Sequence, residues 1–215
     1  MILKLFHMYS VVLFILFLAP SPWLCCDSTN YLSNNFRLIK LHYENSSGEK
    51  GLTTFIYDEN EIINKAYWQL NDGSRSSENY YTYNEEENLI KKYREFSDGI
   101  TSTQSYEYDQ KENLISEHFS RSDGVTGTTD YKYDKDEKLV KAICNGFAGW
   151  FYGTIIYEYD MNGRKFKGII EKDEKQVGTI NFEYDTTGNL LKEYWEFQDS
   201  WNQTFIYEYE EVRQD

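Results

Sequence analysis

Three groups of residues in this chain are of types that do chemistry or make contacts. The first is acidic. Asp58, Asn84, Asp109, Asp134, Asp160, Asp185 and Glu210 recur at almost constant spacing. Within that series Asp58-Glu59-Asn60 and Asp134-Lys135-Asp136 space oxygens by two, as cation ligands do. The same side chains can instead accept backbone N–H bonds across a turn. A complete calcium loop needs Gly at its sixth position and a bidentate Glu at its twelfth, and no unit carries both. No metal ligands and no cofactor are therefore assigned. Pairs of carboxylates suited to glycoside cleavage can be drawn anywhere among 36 acids, so such a pair identifies nothing.

The second group is aromatic. Gly146-Phe147-Ala148-Gly149-Trp150-Phe151-Tyr152-Gly153 is apolar where neighbouring units have Ser-Asp-Gly. Phe147, Trp150, Phe151 and Tyr152 are the candidate ligand-contact residues, exposed at a tip against a sugar, a protein or a membrane. The competing reading packs these rings, with Trp68, Trp195 and Trp201, into a core.

The third group is the cysteines. Cys25 and Cys26 follow a weakly positive start at Lys4, an apolar run from Val11 to Leu18, and Pro20-Ser21-Pro22. That run is too short to span a bilayer as a helix and reads as a secretory signal over residues 1–26. The segment resembles a bacterial lipoprotein signal, which makes Cys25 and Cys26 lipidation candidates, although Leu24 stands where a small residue is preferred. Residues 27–35 are polar and read as a tether. Cys144, in Ala-Ile-Cys-Asn-Gly, reads as a small buried hydrophobe rather than a nucleophile. No Gly-rich phosphate loop, zinc cluster or nucleophile elbow is present, so no catalytic residue is assigned and the chain is expected not to be an enzyme.

The elements that position these residues come from a repeat. The second aromatic of a pair falls at Tyr57, Tyr83, Tyr108, Tyr133, Tyr159, Tyr184 and Tyr209, a period of 25 or 26 residues. Two residues earlier stand Phe55, Tyr81, Tyr106, Tyr131, Tyr157, Phe182 and Tyr207. Six residues later stand Ile63, Leu89, Leu114, Leu139 and Leu190, with Lys165 breaking the column. Each unit reads as a β-hairpin. Leu89–Phe96 is a first strand, Ser97-Asp98-Gly99 a turn, and Thr103–Tyr108 a second strand with period two. Short connections make neighbours antiparallel. The expected fold is all-β: an antiparallel meander of repeated β-hairpins, about 14 strands over residues 36–212, in a twisted or curled sheet. In the first strand Leu89 and Tyr93 fall on one face and Ile90 and Phe96 on the other, which predicts partial cover on both faces.

Phe182-Glu183-Tyr184-Asp185-Thr186-Thr187-Gly188-Asn189-Leu190 and Tyr157-Glu158-Tyr159-Asp160-Met161-Asn162-Gly163-Arg164 resemble the YD-repeat (RHS-type) signature. The resemblance extends from about Phe36 to Val212. It implies β-hairpin sheets of the kind found in cell-surface proteins and toxin shells. The unit is longer than that family's, the array is too short to enclose a toxin, and the shell role is not carried over. The feel of the chain is closer to short bacterial lipoproteins.

Composition narrows the partners. With 36 acids against 22 bases, net charge -14, the chain is unsuited to nucleic acid or anionic lipid. Membrane contact is expected only through an N-terminal lipid or signal anchor. The expected role is a secreted or cell-envelope interaction or adhesion module for a protein or glycan ligand. A purely structural envelope scaffold and, further off, a polysaccharide-acting enzyme are the alternatives.

Overall fold

The computed structural model describes residues 36–146 and 152–212. The readings above for residues 1–35, including Cys25 and Cys26, lie outside them, as do Phe147, Trp150 and Phe151. The described residues form fourteen strands in chain order. They are β1 (Phe36–Asn45), β2 (Lys50–Tyr57), β3 (Ile63–Leu70), β4 (Ser76–Tyr83), β5 (Leu89–Phe96), β6 (Thr101–Tyr108) and β7 (Leu114–Arg121). There follow β8 (Thr126–Tyr133), β9 (Leu139–Gly146), β10 (Gly153–Tyr159), β11 (Lys165–Lys172), β12 (Lys175–Tyr184), β13 (Leu190–Phe197) and β14 (Asn202–Glu211). Each pairs antiparallel with its chain neighbours, and β14 pairs with β1, so the meander closes into a barrel.

Both expected turns form. At one end the Asp that follows an aromatic pair, or Asn84 after Tyr83, closes the connection. Asp109 Oδ1 accepts Lys111 N at 2.8 Å and Asn113 N at 2.9 Å. Asp58, Asp134, Asp160 and Asp185 do the same with their own turns. These bonds are the Asx-turn alternative to a cation site. They hold Asp160 below the usual carboxylate range, chiefly through the Arg164 amide. The fourth turn residue is left-handed: Gly163 and Gly188 there, but Glu61, Glu87, Glu112 and Glu137 in the earlier units, at φ of 61–66°. At the other end Gly73, Gly99 and Gly124 take positive φ in the Asp-Gly tips.

The curvature has a repeated cause. Tyr108 pairs with Leu114 while Glu107 pairs with Ser116, leaving one extra residue on β7. The same shift occurs at Tyr57/Ile63, Tyr83/Leu89, Tyr133/Leu139, Tyr159/Lys165 and Tyr184/Leu190. At the β1–β14 seam it falls at Tyr209/Leu38. β-Bulges bend a strand and increase its twist, and seven in register coil the sheet until its edges meet.

The bulge also corrects the face assignment for the first strand. Period two carries Leu89 and Tyr93 to one face. With the extra residue at Ile90-Lys91, Leu89 and Phe96 both turn inward and are buried, while Ile90 is exposed outside. The sheet is therefore one-sided, with a single buried face.

That face is a packed core. The first aromatics of the pairs, including Phe55, Tyr106, Tyr131, Tyr157 and Tyr207, share one cluster with Leu38, Ile170, Ile180 and Trp195. Trp68 is buried beside Phe96 and Leu70. For Trp68 and Trp195, then, the core reading holds. In places a small residue faces large ones, as Gly168 stands opposite Tyr157 and Ile180. A Cβ on Gly178 would stand 2.5 Å from the Glu196 carbonyl oxygen and 3.2 Å from Phe197. Cys144 is buried, receives the Thr129 hydroxyl at 3.9 Å, and burial pushes its thiol up to about 12.

Candidate functional site

The tyrosine pairs divide their work by position. The second tyrosine is half-buried at the rim, and its hydroxyl donates to a carbonyl on the preceding strand. Tyr57 reaches Leu38 O at 2.6 Å, Tyr83 Ile63 O at 2.7 Å, Tyr108 Leu89 O at 2.9 Å and Tyr133 Leu114 O at 2.9 Å. Tyr159 reaches Leu139 O at 2.7 Å and Tyr209 Leu190 O at 3.0 Å. Burial raises Tyr57 and Tyr209 above the ordinary tyrosine range, so these hydroxyls remain donors. The ring of tyrosines is structural.

The inner wall holds two deeply buried acids, Glu117 and Glu193, each engaged by its neighbours. Glu117 accepts Gln104 Nε2 at 2.7 Å and the Tyr131 hydroxyl at 3.2 Å. Glu193 accepts the Tyr207 hydroxyl at 2.7 Å and Trp195 Nε1 at 3.1 Å. Both are 0–1% exposed. Burial raises Glu117 above the usual carboxylate range, against the lowering effect of Gln104, Tyr131 and Lys92. Among the described residues no three His, Cys, Asp or Glu side chains converge as a metal centre does.

The outer wall carries charge along its length, interspersed with exposed apolar residues such as Ile90, Ile115, Leu191 and Ile206. Lys91, Glu95, Glu107, His118, Lys132 and Glu183 are exposed there, and Lys40 pairs with Glu208 at 2.9 Å across the seam. A lipid-embedded barrel has the opposite arrangement, with an apolar band outside and polar residues within, and a Lys or Arg at mid-bilayer costs about 2–4 kcal/mol. This barrel carries charged side chains outside and packs its inside.

Against that charged wall one patch stands out. Tyr67 on β3, Tyr80 on β4 and Tyr93 on β5 form an outward row, with Tyr67 42% and Tyr80 37% exposed. Tyr80 stands directly opposite Tyr93, their ring centroids 6.3 Å apart. Lys65 Nζ lies 4.6 Å from the Tyr67 ring and 5.0 Å from the Tyr80 ring, and bonds Glu78 at 2.7 Å. Glu78 also accepts the Tyr80 hydroxyl at 2.6 Å, and Glu95 the Tyr93 hydroxyl at 3.2 Å. These bonds hold the rings in place on the sheet. Sequence reading missed the row. Plain alternation puts Tyr80 outside, but it sets Tyr67 and Tyr93 on the face of Ile63 and Leu89, and only the bulges after those residues bring all three rings into one outward row. Of the tip candidates, Tyr152 lies among the described residues and is 58% exposed just before β10, at the opposite end of the barrel from the rim tyrosines.

No protein-family model matches the chain, and no curated protein matches it in sequence. Among solved structures, a porin-like protein from Bacteroides uniformis superposes with a TM-score of 0.51 at 10% identity, covering 80% of this chain and 98% of that one. At that identity the likeness is one of fold. A TcdB2-TccC3-Cdc42 complex overlaps with a TM-score of 0.35 at 15% identity, covering 75% of this chain and 10% of that one. A Tc holotoxin pore of Photorhabdus luminescens overlaps with a TM-score of 0.33 at 16% identity, covering 74% of this chain and 9% of that one.

Proposed function

We propose that this chain is a non-enzymatic, secreted or cell-envelope barrel that acts as an interaction module, with a glycan as its ligand. The observation that carries this reading is the Tyr67–Tyr80–Tyr93 row. Sugars stack their C–H faces on rings and bond their hydroxyls to neighbouring carboxylates. Here, exposed rings flanked by Glu78 and Glu95 offer both groups on a rigid sheet. A contiguous exposed aromatic patch marks a contact site. Tyr152 belongs to the same proposal as a second contact point at the hairpin tips.

The N-terminal signal, with Cys25 or Cys26 as a lipid anchor, would display the barrel at the outer surface, and the charged wall suits water rather than the bilayer interior. The YD-repeat resemblance supports the hairpin architecture and adds nothing about the ligand. The scaffold reading loses ground because closure leaves no free sheet edge for assembly. The non-enzymatic reading is supported by Glu117 and Glu193, whose carboxylates are buried and engaged by neighbours.

A glycan array probed with the full chain and with Y80S tests the proposal. Binding to a defined set of glycans that drops at least tenfold in Y80S, with an unchanged circular dichroism spectrum, supports it. Binding that is absent, or unaffected by Y80S and Y67S, removes the row as the contact surface.

A further inference from the structure

The inner wall near the Asp-Gly tips holds side chains that neither the core nor the outer tyrosines explain. Three of the chain's six arginines gather there: Arg75 and Arg94 are buried, and the Arg121 side chain is 7% exposed. Arg94 on β5 and Arg121 on β7 both stand opposite Ser102 of β6 in the strand register. Arg75 precedes β4, and its guanidinium carbon lies 4.3 Å from the Phe96 ring centroid, with that of Arg94 5.3 Å from the same ring. Arg94 Nε donates to Asn79 Oδ1 at 2.5 Å. The outer margin meets carboxylates: Arg75 Nη2 lies 3.0 Å from Asp98, and Arg121 Nε 2.6 Å from Asp123.

Toward the interior the accounting is incomplete. Arg75 Nε and Nη1, Ser77 Oγ and Trp68 Nε1 are buried without a hydrogen-bond partner. Arg75 is 6%, Ser77 4% and Trp68 2% exposed. Asp98 engages Arg75 through Nη2 alone, and buried donors without acceptors call for a bound water, ion or ligand. Burial lowers the Arg75 guanidinium below its ordinary range, Asp98 and, less strongly, Glu49 partly restore it, and the Arg121 charge lowers it again. Arg94 is pushed down to about 10 by burial, with Arg75 contributing. Small inward residues, Ser77 and Ser102, stand between the arginines.

We propose that this end of the barrel is an anion site, in which Arg75 and Ser77 bind an oxyanion group in the field of Arg94 and Arg121. The missing chemistry is that of an acceptor. Where guanidiniums gather out of water, an acceptor carrying negative charge is favoured over a neutral one. Phe96 and Trp68, in edge contact at 6.5 Å, supply an apolar wall that strengthens the electrostatics. The ligand class is phosphate, sulfate or a carboxylate, free or at the end of a larger molecule. The site is independent of the outer tyrosine row.

The test is a titration of the full chain with inorganic phosphate, sulfate and acetate, each against sodium chloride at matched ionic strength. The readouts are the Arg75 Nε–H and Ser77 amide resonances. The expected result is a saturable shift of both signals with at least one oxyanion and none with chloride. R75M should weaken that oxyanion at least tenfold, and S77A, which keeps every charge, several-fold. Shifts that follow ionic strength alone, or an R75M protein that responds like the wild type, would overturn the proposal. If R75M fails to fold, the wild-type titration and S77A decide. The larger ligand is distinguished by repeating the titration with a sulfated and a carboxylated monosaccharide, of which the true class should bind more tightly than the free ion.

Discussion

Tyr209, near the end of the last strand, stands opposite Leu38 in the first, the same register that Tyr108 holds with Leu114. The seam is therefore another copy of the inter-repeat contact. Tyr57 completes it by donating to the Leu38 carbonyl, as Tyr133 donates to that of Leu114. Two columns of the sequence, the tyrosines and the leucines six residues later, are two sides of this one contact. β1 supplies the leucine that β14 would otherwise lack.

If all these contacts are equivalent, removing a hydroxyl at the seam costs what it costs elsewhere. Y57F and Y108F should each lower stability by about 1 kcal/mol, the usual net value of such a bond. Urea denaturation measures both. A much smaller loss at Y57F would mean that the seam is looser than the rest of the wall.

Gly178 is required by its neighbours rather than by its backbone angle. A methyl group there meets the Glu196 carbonyl oxygen at 2.5 Å. G178A should cost about 1–3 kcal/mol through overpacking. G48A, where nothing lies within 4 Å but φ is +79°, tests backbone strain alone.

Four connections place glutamate in the left-handed conformation that Gly163 and Gly188 occupy in later repeats. A non-glycine residue there costs about 1–2 kcal/mol, offset in part by the extra freedom glycine has when unfolded. E87G and E112G should therefore raise the melting temperature, and together their effects should add, because the two turns belong to different units. A decrease in either would show that the turn is not strained.

Stability should have a maximum in mild acid. Burial raises Glu117 in the folded state, so its contribution is present below the ordinary carboxylate range and is lost as pH rises through the raised folded value. Asp109 and Asp160 are lowered, the first chiefly by Asn113, the second chiefly by the Arg164 amide. Their contribution is present above the ordinary value and is lost as pH falls through the lowered one. Melting temperature should rise from pH 7 toward pH 5 and fall below about pH 4. Self-repulsion of the -14 charge also relaxes in that window, so the comparison is with E117Q, whose rise should be smaller. Equal rises would assign the effect to net charge alone.

The repeat, the turns and the strand pairing were legible because each rests on local rules. Tyr-x-Tyr alternates in period two, Asp bonds its own turn, and short loops force antiparallel neighbours. The inner wall was less legible for one physical reason. A bulge after each leucine adds a residue that no composition rule marks, and it reverses the parity of the rest of the strand. That inversion carries Tyr93 to water and Phe96 into the core, and it brings Arg94 and Arg121 inside, where plain alternation sets Arg94 opposite Leu89. Closure was hidden for a related reason, since it depends on β1 matching β14 across 173 residues, as in the Arg37–Glu210 pair.

Closure itself is tested most directly by solution NMR of the full chain. The closed barrel predicts cross-strand NOEs between His42 and Ile206, which pair in register, and between the Tyr43 and Phe205 rings, whose centroids lie 5.6 Å apart. The β1 and β14 amides should exchange as slowly as those of β6 and β7. Absent NOEs, with fast exchange confined to β1 and β14, would show an open sheet and contradict the barrel.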